Sequence, residues 1–370
     1  MSRLAAIAPL GQSIWLDYIR RDLIPSGALA KLIAEDAITG LTSNPAIFEK
    51  AIAGSALYDE ALAAAVRGGE HDTARLTELL AIDDIRAAAD LFAPLHAASG
   101  LRDGFVSLEV APDLAHNTAA TVAEARRLWA EVARPNLMIK VPGTVAGAAA
   151  IRTLIAEGIN VNVTLLFSRA AYAAVAEAYV EGLEMFAARG GKLAGVASVA
   201  SFFVSRIDAA IEPELKLRGD AAQRLNARVA IANAKLAYQD FLALSNSPRW
   251  QALATKGAQP QRLLWASTGT KSPALRDTLY VEALIGPATV NTVPPATLDA
   301  FRDHGIAART LDADVAEAQA VLAEVAALRI SLEAITAKLV VDGVQLFADA
   351  HQKLLAAVAA KRDAIAATTV

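Results

Sequence analysis

The sequence predicts an α/β fold: a (β/α)8 barrel with helical insertions and extra C-terminal helices. Three observations carry this. Eight short apolar runs alternate with longer Ala-, Leu-, Glu- and Arg-rich helical segments, which implies parallel strands joined by helical crossovers. Several of the runs end in polar residues, as barrel strands do at the face that holds their sites. No Gly-x-Gly-x-x-Gly turn follows the first run, which lowers the rival open, doubly wound sheet.

Taken in order, the strands are expected at residues 13–17, 38–43, 105–110, 137–141, 160–165, 195–199, 263–267 and 288–293. Helical patterns such as 119–133 and 170–188 lie between them. A barrel of this kind needs about 250 residues, and the chain has 370. The surplus falls at 49–102, at 208–262 and after Leu311, where 333–361 reads as a long helix. No Gly/Pro/Ser-rich linker divides the chain, so residues 1–370 are expected to form one domain. The insertions leave room for a homodimer surface.

Composition excludes several classes. The chain is 55% hydrophobic and 20% charged, which suits a globular protein. A formal net charge of -4 argues against a nucleic-acid partner. There is no cysteine, and the five histidines are widely spaced, so no metal site is expected. The first ten residues are too short for a secretory signal, and no run reaches membrane-spanning length. The expectation is a cytoplasmic protein with no membrane partner.

Chemistry is concentrated at the ends of the runs. In Leu137-Met138-Ile139-Lys140-Val141, alternation turns Lys140 away from Leu137, Ile139 and Val141. A buried ammonium is costly unless paired or neutralised, and a neutral lysine is a nucleophile for carbonyls. The same parity aims Asp17, Asn44, Glu109, Asn162 and Thr164 into the barrel mouth together with Lys140. An amine flanked by carboxylates is also the makeup of a plain buried ion pair. As chemistry, though, it has defined roles. Lys140 attacks a carbonyl. Glu109 moves protons during dehydration, through a water held by Thr164. Asp17 is the base for the hydroxyl beside a breaking carbon–carbon bond. Asn44 and Asn162 bind a polyhydroxylated substrate. Arg206 and Lys271, after the sixth and seventh runs, can together grip a phosphate, although either alone reads more readily as a surface charge.

These residues lie in motifs that resemble those of the transaldolase family: Trp15-Leu16-Asp17, Gly40-Leu41-Thr42-Ser43-Asn44-Pro45, Val106-Ser107-Leu108-Glu109-Val110, Ile139-Lys140-Val141-Pro142-Gly143-Thr144 and Asn162-Val163-Thr164-Leu165-Leu166-Phe167-Ser168. They appear in the family's order across nearly the whole chain, and Asp342-Gly343-Val344-Gln345-Leu346-Phe347 is similar to its closing helix. The chain resembles the longer bacterial branch, some members of which are fused to a glucose-6-phosphate isomerase.

The resemblance implies a Schiff base on Lys140, with acid–base work by Glu109 and Asp17 and a catalytic water placed by Thr164. Asn44, Asn162 and Ser201 would contact a dihydroxyacetone unit, with Ser267 lining the same pocket and Arg206 on the phosphate. That unit would pass from a ketose phosphate to an aldose phosphate, in the pentose phosphate pathway, with no metal or cofactor. Two departures stand out. Many members carry an arginine where this chain has Gly269, so Lys271 is the expected second phosphate contact. Ser201-Phe202-Phe203 replaces a more usual Ser-Pro-Phe. Aldolases of the same barrel family tend to carry an amide in place of Glu109, so the carboxylate favours transfer over release.

Overall fold

The structure, a computed structural model, describes residues 2–368. Eight parallel strands close into a barrel in chain order: β1 Gln12–Asp17, β2 Ile38–Thr42, β3 Phe105–Glu109, β4 Leu137–Pro142, β5 Val161–Leu166, β6 Ser198–Phe203, β7 Arg262–Ala266 and β8 Thr289–Val293. Residues 1, 369 and 370, the ends of the expected single domain, lie outside the described residues.

The strands are made by alternation. In β4, Ile139 and Val141 are fully buried, and Lys140 lies between them in sequence. Register then sets neighbours: Glu109 pairs with Lys140, Lys140 with Asn162, Pro142 with Thr164, and Asp17 with Thr42. Gly40 has a clear reason to be glycine, because a Cβ there would lie 2.6 Å from the Trp15 ring.

The strand bounds move by one residue from the sequence expectation, and further in the sixth; three departures bear on the site. The sixth strand is Ser198–Phe203, not 195–199, because Leu193–Gly195 forms a 3-10 turn that delays its start. The seventh ends at Ala266, with Ser267 beyond it at φ 56°. Asn44 is not a strand residue. It caps the helix Pro45–Ala53, accepting from the Ile47 amide at 3.0 Å, with Pro45 in the first turn.

Helices fill the long connections. Pro45–Ala53, Asp59–Arg67 and Thr73–Ala98 lie between β2 and β3, and Ser205–Leu217, Val229–Ser245 and Pro248–Ala254 between β6 and β7. The helix Leu332–Thr368 packs most extensively on Pro45–Ala53 and also touches Thr73–Ala98, Ser205–Leu217 and β5. Among the described residues, no helix is long and apolar enough to cross a membrane.

Candidate active site

A cavity of about 530 Å³ opens among the C-terminal strand ends, within the size range of small-molecule sites. Asp17, Asn44, Lys140, Thr164, Ser201, Arg206, Ser267 and Lys271 all line it.

Lys140 is 5% exposed. Its Nζ donates to the Ser43 carbonyl at 2.9 Å and lies 3.2 Å from Glu109 Oε2. The Glu109 contact is an ion pair without hydrogen-bond alignment, and both Glu109 oxygens are buried with no aligned donor among the described residues. Burial pushes the Glu109 carboxyl above its ordinary range, against the pull of the Lys140 charge. The glutamate does not line the mouth cavity itself. It borders a second cavity of about 200 Å³, lined also by Phe48, Leu128 and His351.

Asp17 ends β1 and accepts from Thr42 Oγ1 at 2.8 Å. With Thr42 donating to Asp17, the Thr292 hydroxyl 2.7 Å away donates to Thr42. Burial also raises the Asp17 pKa, opposed first by Lys140 and then by Thr42. Thr164 Oγ1 is buried and has no partner among the described residues.

Asn162 departs from its expected place. It is fully buried and absent from the cavity lining, donating to Ser107 Oγ at 3.0 Å and accepting from Ser201 Oγ at 2.7 Å. Parity gave its face correctly but not its depth. In this structure it orients Ser201, which does reach the cavity.

Two cations, Arg206 and Lys271, share this cavity, and their charges act on Asp17. Arg206, in the first turn of Ser205–Leu217, lies 5.1 Å from the Phe203 ring centroid. No carboxylate forms a salt bridge with Arg206 or Lys271 among the described residues. Burial, then repulsion from Arg206, lowers the Lys271 pKa, although the residue as a whole is exposed at the rim. Ser267 shares a 2.9 Å hydrogen bond with Ser205. A Cβ at Gly269 would come to 3.0 Å from Thr297 Oγ1, so the chain is crowded at this position.

Sequence reasoning missed Thr42, Thr292 and the placement of Phe347. Thr42 is the last residue of β2 and Thr292 the last but one of β8, and the parity rule applied to those strands finds them. Phe347 lines the cavity from the helix Leu332–Thr368, its ring centroid 5.9 Å from Lys140 Nζ.

Comparison with known proteins agrees with this geometry. Residues 14–358 match the family described as Transaldolase/Fructose-6-phosphate aldolase. A protein of Thiobacillus denitrificans named Transaldolase is 52% identical over 95% of this chain and 98% of its own length. Transaldolase of Neisseria gonorrhoeae is 49% identical over 96% of this chain and 99% of its own, and Transaldolase 2 of a Nostoc species is 47% identical over 96% of each. The chain therefore belongs to the Transaldolase/Fructose-6-phosphate aldolase family.

Proposed function

We propose that this chain is a transaldolase, moving a dihydroxyacetone unit from a ketose phosphate to an aldose phosphate through a Schiff base on Lys140. One observation carries the reading: a buried amine 3.2 Å from a buried carboxylate shares a cavity with Asp17 and with two cations, Arg206 and Lys271, that no carboxylate among the described residues salt-bridges.

The steps follow from these positions. Neutral Lys140 attacks the keto carbon. Glu109 exchanges protons as the carbinolamine loses water, and Thr164 is the hydroxyl that holds that water. Asp17 removes the proton from the hydroxyl beyond the scissile bond. That carbon–carbon bond breaks, an aldose phosphate leaves, and its electron pair stays as an enamine on Lys140. An acceptor aldehyde reverses the sequence, Asp17 returns the proton, and water frees the amine. Asn44 and Ser201 bind the three-carbon unit while Asn162 orients Ser201. Arg206 and Lys271 hold the phosphate, with Ser267 alongside. The serine's 2.9 Å bond to Ser205 ties it to the residue before Arg206.

Transfer is favoured over simple aldol release by the names of the relatives and by Glu109 itself. A cytoplasmic place in the pentose phosphate pathway and a single domain over residues 1–370 belong to the same proposal. The domain reading is supported by one apolar core cluster running from Leu4 to Val358.

The test is borohydride reduction with fructose 6-phosphate. A three-carbon adduct on Lys140 is expected, with no turnover in a folded Lys140→Ala variant. An unmodified Lys140, or substantial activity in that variant, refutes the assignment.

A further inference from the structure

The Lys140 nitrogen has three neighbours that matter: the Ser43 carbonyl, the Glu109 carboxylate and the face of Phe347. Two are polar and belong to the barrel. The third comes from the far end of the chain, is 6% exposed and lines the same cavity as Asp17 and Thr164. An aromatic face turned to a nitrogen does two things. It attracts a cation, ammonium or iminium, and it occupies space from which water would otherwise reach that nitrogen.

The ring is held there by an unusual approach of helix to barrel. One turn before Phe347 is Gly343, where a Cβ would lie 2.8 Å from Leu165 Cδ2. Leu165 sits at φ 60° where β5 slips register against β6, a backbone state seldom adopted by a residue of this kind. The helix is tied again beyond the site. Lys361 donates to the Ser55 carbonyl at 2.8 Å, and Arg362 to the His71 carbonyl and Thr73 Oγ1, each at 2.8 Å. All three partners lie in the β2–β3 insertion.

We infer that Phe347 is a positioning residue that decides the fate of the covalent intermediate, keeping water from it so that the three-carbon unit is transferred rather than released. The inference rests on the transaldolase reading above. The competing path is explicit: a proton adds to the enamine carbon, water adds to the resulting iminium carbon, and the C–N bond breaks. The products are free dihydroxyacetone and the amine, and the proton is returned. Water is the only co-reactant.

The test uses the full chain and its Phe347→Leu and Phe347→Ala variants. Free dihydroxyacetone released from fructose 6-phosphate without acceptor is measured against transfer to erythrose 4-phosphate. The ratio of release to transfer is expected to rise roughly tenfold in Phe347→Ala, and less in Phe347→Leu, which keeps bulk without the π face. A merely structural role lowers both rates together and leaves the ratio unchanged. That result in either folded variant overturns the proposal and leaves the transaldolase reading intact. Absence of transfer by the unaltered protein overturns both.

Discussion

Asp208 offers a quantitative check on the helix that carries Arg206. It lies in the first turn of Ser205–Leu217, 3% exposed, accepting from the Ala230 amide and the Tyr280 hydroxyl, each at 2.9 Å. Burial pushes its carboxyl from an ordinary 3.8 up to about 6, and the two hydrogen bonds only partly offset this. The folded-state pKa is the higher one, so the protonated form is favoured on folding. Its stabilisation is complete below pH 3.8 and is lost as pH rises through about 6. A shift of roughly two pH units corresponds to about 3 kcal/mol. Asp208→Asn cannot titrate, yet its amide can still accept from Ala230 and donate to the Tyr280 oxygen. Urea unfolding of both proteins at matched pH isolates this group, because other titrations cancel in the difference. The variant is expected to gain on the parent by about 3 kcal/mol between roughly pH 4 and 7, then hold constant. A difference that stays flat with pH refutes the argument, whatever its offset.

Further outcomes concern the two phosphate-facing cations and the base. Arg206→Ala should raise KM for phosphorylated ketoses roughly 10- to 100-fold while leaving an unphosphorylated ketose little affected; Lys271→Ala should act in the same direction, measured by steady-state kinetics with both substrates. Asp17 must be ionised to act as base, so kcat/KM should fall with decreasing pH along a limb lying above the ordinary carboxylate range. Thr42→Val, which removes a hydrogen bond that favours the ionised form, should move that limb higher still in a pH–rate profile.

Local alternation carried much of the fold. Leu137, Ile139 and Val141 fixed the face of Lys140, and the same rule aligned Glu109 beside it and Thr164 one strand on. It failed where chain geometry is not strand geometry. Asn44 before Pro45 is a helix-capping pair, and reading it as such accounts for its place at the rim. The start of β6 was masked by Val196 and Ala197, apolar residues that continue the pattern before the ladder begins. Parity gave a face for Asn162 but no depth, since depth depends on which neighbours fill the barrel axis. Phe347 could be read as part of a helix motif, but its contact with Lys140 depends on how that helix lies across the barrel, which no local pattern encodes.

The order of the chain gives the covering helix a temporal meaning. Translation runs from the N-terminus, so the nucleophile on β4 exists long before Phe347 is made; at about 5–20 residues per second the interval is on the order of 10–40 s. The ring of strands cannot close before Val293 is made, so a closed barrel without its aromatic cover exists only in the last part of that interval. Competence for transfer would then arrive late, as a final docking event rather than with closure of the strands.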